Sequence, residues 1–237
     1  MLINPQELNQ NLDRLEEIEK VSLRLVTQAV YDYHTVAQEI FQEESDLVAD
    51  IGEDITREAL DRLGMSKIDQ RLFGKVDYKR ACYLFHPDYA LKQALFVDSK
   101  AEKVEGQGTA TLQISQFSML VRQIRAGQAL EIAGKLPTIL TLKGESYLTT
   151  TLFVKYNYET QGAINTLKSI TIAAVPNGIL QERYNPSAQD TIWIAGRNAP
   201  TLGEEFRVRL SFARLKQKAT WRVQKISLNP DTFHWDS

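Results

Sequence analysis

The sequence predicts an α/β or α+β fold, with an N-terminal helical region ahead of a core built on a mixed β-sheet. Three observations carry this. Apolar residues recur at helical spacing over the first 66 positions, and strand-like runs rich in β-branched and aromatic residues begin near Phe73. Pro and Gly then fall between those runs, at Pro137, Gly144, Gly162, Pro176, Gly178, Pro186, Gly196 and Pro200.

Asn4-Pro5-Gln6-Glu7 reads as an N-cap followed by Pro at the first helical position and Glu at the third. Leu8, Leu12, Leu15, Ile18, Leu25, Ala29, Tyr33, Val36 and Ile40 form a one-sided stripe, the pattern of a helix packed against the domain or a second subunit. A second helix is expected from about Asp46 to Leu63, ended by Gly64. Strands are expected at 75–85, 91–99, 147–158, 167–174, 190–195 and 205–213, with a helix over Gln116–Gly127. "YLTTTLFVKYNYE" (147–159) has the composition of a strand.

The chain has 237 residues, 43% hydrophobic and 24% charged, an ordinary globular composition. It shows no internal repeat, low-complexity run or long linker. A single domain over 1–237 is expected, with a helical region at 1–66 and the core at 67–237. No apolar stretch reaches the length of a membrane span, and the N-terminus lacks the basic region and apolar core of a secretory signal. Cys82 is the only cysteine, so no internal disulfide forms and a cytoplasmic setting is expected. The net charge of −2 hides an asymmetry: residues 1–66 carry 5 basic and 15 acidic side chains, and the remainder carries 23 and 15. One reading is a basic face presented to phosphates; the other is a solvated acidic helix beside an average domain.

"HPDYALKQALFVDSKAEK" (86–103) contains a Pro-Asp pair, Pro87-Asp88, and an Asp-x-Lys, Asp98-Ser99-Lys100, at the end of an apolar run. Lys75–Phe85 and Ala90–Val97 read as a hairpin with His86–Tyr89 as its loop. Phe85 then opposes Ala90, and Asp98 opposes Asp77. Asp88 sits at the hairpin tip, roughly 30 Å from Asp98 at about 3.3 Å per residue, too far to share an ion. Asp77 and Asp98 as cross-strand neighbours would have Cβ atoms about 5 Å apart, and Lys100 projects on the face of Asp98. Closely spaced oxygen ligands suit Mg²⁺, which polarises a phosphate and lowers the pKa of a bound water. Lys100 then orients that water or neutralises developing charge. The bland alternative is a surface Asp–Lys pair at a strand end.

"GEDITREAL" (52–60), "RLFGKVDYKR" (71–80), "ALFVDSKA" (94–101), "TLQISQFSM" (111–119), "ERYNP" (182–186) and "IAGRNAPTLGEEFRVRLSFARLKQ" (194–217) together resemble the SfiI-type type II restriction endonucleases. The matches run in order over roughly residues 15–226. The resemblance implies a PD-(D/E)xK restriction-endonuclease-like fold of BglI-related architecture. It implies Mg²⁺-dependent cutting of double-stranded DNA at a GC-rich interrupted palindrome such as GGCCNNNNNGGCC, leaving 3′ overhangs, by a homotetramer or dimer. It places the metal-binding aspartates at Asp77 and Asp98, the lysine at Lys100, and Ser99 as a main-chain oxygen ligand. Val76 stands where the family name has proline. Glu53 is a further candidate acidic group; the alternative is a helix glutamate paired with Arg57.

Reading G·C pairs requires Arg or Lys forked onto guanine O6 and N7. Arg197 and Asn198 lie in a Gly/Pro-bounded loop, and Arg207 and Arg209 share one face of an expected strand. Lys79, Lys103, Arg122 and Arg125 are further candidates for phosphate contacts. The histidines His34, His86 and His234 are scattered, which disfavours zinc, and neither a phosphate-binding G-x-x-x-x-G-K-[ST] loop nor a G-x-S-x-G elbow occurs. Two readings from other classes stand beside the restriction enzyme: a structure-selective nuclease of the same superfamily in recombination or repair, and a non-catalytic DNA-binding relative.

Overall fold

A computed structural model describes residues 3–44, 48–64, 66–67, 81–85, 91–106, 108–195, 206–228 and 231–237. The chain opens with a short 3-10 helix, Pro5–Gln10, capped by the Asn4 side chain. Two helices follow, α1 (Leu12–Asp32) and α2 (His34–Glu43), where the sequence suggested one continuous stripe; they divide at Tyr33. Asn11 caps α1 by accepting from the Arg14 backbone N–H. The second expected helix is α3, Val48–Asp61.

Strands follow in the order β1 (Ser66–Lys67), β2 (Ala81–Phe85), β3 (Gln93–Lys103), β4 (Thr109–Gln113), β5 (Leu120–Arg125), β6 (Gln128–Ala133), β7 (Ile139–Leu142), β8 (Glu145–Gln161) and β9 (Ile164–Val175). After a short α4 (Gln181–Tyr184) come β10 (Trp193–Ile194), β11 (Arg207–Ser211), α5 (Phe212–Lys218), β12 (Val223–Leu228) and β13 (Asp231–Phe233). Among the described residues the main sheet runs β1-β2-β3-β8-β9-β12-β13, with β7 joined to β8. It is mixed: β3 and β8 pair in parallel and the other pairs are antiparallel.

The expected helix at 116–127 is instead a hairpin of β5 and β6. Ala126 and Gly127 both have positive φ, 49° and 77°, the backbone of a tight two-residue turn whose twist suits paired strands. Burial alternates along Leu120–Gln123, so the period is that of a strand.

The main sheet separates two cores. Leu95, Val97, Leu152, Val154, Ile170 and Ile172 pack against the helices on one side. Phe153, Ala173 and Val175 face the other side, against Ala110, Leu112, Val208 and Leu210 of a small sheet ordered β10-β11-β4. No described helix is long and apolar enough to cross a membrane.

A buried ion pair pins α1 across the end of the main sheet. Arg222 and Glu19 lie 2.6 Å apart with side chains 0% and 1% exposed. The Asn177 backbone N–H donates to the other Glu19 oxygen at 2.8 Å. Burial pushes the Glu19 carboxyl up, and the adjoining guanidinium pulls it back down. The Arg222 guanidinium also stacks over Tyr184 and Trp221, 4.2 and 4.4 Å from the ring centroids. Glu19→Ala leaves that cation buried with only the more distant Glu16 carboxylate, 3.5 Å away. A loss of about 3–5 kcal/mol in the urea unfolding free energy is expected, against well under half of that for the outlying Asp13→Ala.

Candidate active site

Alternation along β3 sorts its residues between the two sides of the sheet. Leu95, Val97 and Ala101 join the helical core. Ser99 points the same way, and its buried hydroxyl donates to Thr56 Oγ1 on α3 at 2.7 Å. Thr56 Oγ1 in turn bonds the Tyr156 hydroxyl of β8 at 2.9 Å. Burial raises the Tyr156 phenol above its ordinary range, so it stays a neutral partner. Gly52 lets α3 come this close. A Cβ there would lie 3.1 Å from the Ala101 nitrogen, 3.1 Å from Tyr156 Cδ2 and 3.2 Å from the Lys100 carbonyl carbon.

Asp98, Lys100 and Glu102 therefore face away from the helices. Both Asp98 and Lys100 are half-buried. In the parallel ladder their partners on β8 are Phe153, Lys155 and Asn157. Lys155 is fully buried and ion-paired to Glu102, and its ammonium also donates to the Thr109 carbonyl at the start of β4. Burial lowers its pKa against the pull of Glu102, with Lys100 and Arg209 adding repulsion.

β4 pairs with β11, Arg207 opposite Gln113 and Arg209 opposite Thr111. Val208 and Leu210 are buried while Arg207 is half-buried and Arg209 exposed, so the two arginines share the outer face as the period of two requires. Glu102 and Arg209 line one cleft of about 330 Å³ together with Glu105, Gly108, Thr109 and Thr111. An Asp-x-Lys strand and a strand with two outward arginines thus meet on one side of the main sheet.

The hairpin register differs from the expected one. Phe85 pairs with Gln93, not Ala90, and Ala81 pairs with Val97. The offset is three residues, because the described strand β3 starts at Gln93 and the connection is longer than four residues. The expected placement of Asp77 opposite Asp98 required Phe85 opposite Ala90, a pairing the structure does not have. Asp77 itself, Lys79, His86, Pro87, Asp88, Arg197 and Asn198 lie outside the described residues. Glu53 follows Gly52 on α3, the helix packed against β3, and Arg57 pairs with Asp54 at 3.2 Å. Lys103 is exposed at the end of β3. Arg122 is engaged within the protein, with Glu131 at 3.0 Å and Glu182 at 2.9 Å. Arg125 lies over the Phe206 ring, 5.3 Å from its centroid. Sequence reasoning passed over Lys155 and Glu102. The available signal was a lone lysine inside a run of β-branched and aromatic residues.

This architecture is that of the restriction endonucleases. The BglI crystal structure bound to its DNA recognition sequence superposes with a TM-score of 0.75 at 18% identity, covering 95% of each chain, a likeness of fold. The crystal structure of tetrameric SfiI bound to cognate DNA superposes with a TM-score of 0.81 at 31% identity, covering 98% of this chain and 90% of that one. The type II restriction enzyme SfiI of Streptomyces fimbriatus is 34% identical, with 94% of this chain and 87% of the relative covered. The family model for "Type II restriction enzyme SfiI" matches residues 30–226. The chain belongs to the SfiI family of type II restriction enzymes.

Gly52→Ala must push β3 and α3 apart by a few tenths of an ångström. A stability loss of about 1–3 kcal/mol by chemical denaturation is expected, the range of overpacking in a tight contact.

Proposed function

We propose that this enzyme cuts double-stranded DNA at a GC-rich interrupted palindrome of the GGCCNNNNNGGCC kind, using Mg²⁺ and leaving 3′ overhangs. It acts as a homo-oligomer, a tetramer or a dimer, in the cytoplasm, with residues 1–237 as one endonuclease domain. The observation that carries the reading is the placement of Asp98 and Lys100 on one face of β3, beside a strand presenting Arg207 and Arg209. Its SfiI relative was crystallised as a tetramer on cognate DNA.

The residues present suit a hard divalent ion. Asp98 is half-buried, so an ion there keeps some water, and oxygen donors are what Mg²⁺ takes. Among the described residues no cluster of three His, Cys, Asp or Glu forms, and in this proposal a second carboxylate joins Asp98. Asp77 supplies it in this proposal, with the Ser99 carbonyl as a third oxygen and Glu53 as an additional acidic group. Bound magnesium supplies Lewis-acid polarisation of the scissile phosphate and a more acidic water. Lys100 orients the attacking water or balances charge on the phosphate. Arg207 and Arg209, with Arg197 and Asn198, read guanine edges; Lys79 and Lys103 hold phosphates.

Incubation with Mg²⁺ and a long mixed-sequence DNA tests this directly. Discrete fragments are expected; a smear, branch-limited cutting or intact DNA would defeat the proposal. Asp98→Ala is expected to abolish cleavage while leaving sequence-specific binding in Ca²⁺ intact, and cutting by the pure variant would remove Asp98 from the site. Arg207→Ala and Arg209→Ala should each weaken cognate binding by about 1–3 kcal/mol per lost guanine contact. Titration against cognate and altered duplexes measures this, and unchanged discrimination would exclude both residues from base reading.

A further inference from the structure

We propose that Lys155 is a positioning residue that couples the arginine-bearing strand to the catalytic strand, through Glu102 on one side and the Thr109 carbonyl on the other. The inference rests on the nuclease reading above. It goes beyond that reading by assigning the link between recognition and cleavage to one buried ammonium.

The geometry runs through three strands. Lys155 stands beside Lys100 in the parallel ladder of β8 and β3. Its Nζ is ion-paired to Glu102, two residues beyond Lys100 on the same face. The same Nζ donates to the carbonyl of Thr109, the first residue of β4, which pairs with Ser211 of β11. Arg209 lies two residues back along β11, opposite Thr111. A displacement of β11 on binding DNA therefore reaches β4 through the ladder, and reaches the interior of β3 beside Lys100 through this charged group as well as along the short 104–108 connection.

An inert core position would not hold a lysine. The site is dry enough that burial pulls the Lys155 pKa down, and Lys100 and Arg209 repel it. Glu102, with its side chain 38% exposed, is the ion partner that offsets both. A charge kept at such cost, between a strand that cuts and a strand that reads, suits a link more than a filler. The cleft lined by Glu102, Thr109 and Arg209 opens beside this link, so ligand contact with Arg209 falls within a few side chains of it.

Lys155→Met removes the ammonium and keeps most of its volume, and Glu102 is exposed enough to be hydrated once unpaired. Glu102→Gln, on the half-exposed side, is the second variant should the first fail to fold. Three measurements are made on each: binding in Ca²⁺, single-turnover cleavage of cognate and one-base-altered duplexes in Mg²⁺, and hydrogen exchange of the β4 amides without DNA. In both variants cognate Kd should stay within about threefold while cognate cleavage slows about 100-fold, the scale on which small misplacements act. Altered sites should slow less, so discrimination in the cleavage step shrinks, and the Thr109–Gln113 amides should exchange faster. Combining the two substitutions should add no more than about threefold, as expected for one link. Unchanged β4 exchange overturns the proposal whatever the wild type cuts. So does an unchanged cleavage ratio, or a parallel fall of binding, cleavage and thermal stability, which would mark Lys155 as packing. Wild-type protein that yields no discrete fragments defeats the nuclease reading alone, since the exchange measurement still judges the link.

Discussion

The parallel ladder between β3 and β8 decides which side chains can meet in this molecule. Eleven consecutive pairs, from Gln93 with Leu148 to Lys103 with Tyr158, set the register. A slip of one residue would turn Asp98 and Lys100 into the helical core and push Leu95 and Val97 out of it. The apolar set on the helical side thus enforces the polar set on the other. The ladder is also gripped from both faces: Gly52 and the Ser99–Thr56–Tyr156 hydroxyl chain hold it from α3, and Lys155 with Glu102 hold it from the opposite side. An Asp-x-Lys on a strand so constrained needs little further ordering before it can act.

The two grips differ in physical kind. On the helical side, hydroxyls satisfy one another in a dry setting, which costs little because each partner is neutral. On the other side a full charge is buried and compensated by a carboxylate that reaches toward solvent. The first arrangement supplies rigidity. The second is sensitive to anything that moves Glu102 or β4, because the loss of either partner leaves the buried ammonium less compensated.

Much of this is legible in the sequence. The Asp-x-Lys announced itself as charge at the end of an apolar run, and Arg207 and Arg209 shared a face by the period of two. Three features were not legible. "LVRQIR" spaces its apolar residues in a way that fits a helix as well as a strand, and only the turn at Ala126-Gly127 decides between them. The β2–β3 register depends on the length of the connection, which Pro87 alone does not set. Lys155 looked like an ordinary strand residue because Glu102 and Thr109, which make its burial tolerable, lie about fifty residues away in the chain.

The charge asymmetry also reads differently once the packing is known. Part of the acidity of the first 66 residues is internal: Arg183 pairs with Asp13 and Glu16, and Arg222 with Glu19. These bonds neutralise helix carboxylates with cations from the second part of the chain, so each part is less charged than its formal count. The start of α1 packs in the other core through Leu15 and Ile18, whereas the described acidic groups of α2 and α3 sit on helices packed behind the main sheet, away from the Asp98–Lys100 face. Screening in salt acts over about 10 Å at roughly 0.1 M, so those groups are largely hidden from a polyanion on the far side of the sheet. In the proposed complex a phosphate backbone on that face meets Lys100, Arg207 and Arg209 beside Glu102 and Glu105, and the acidic groups of α2 and α3 stand behind the sheet.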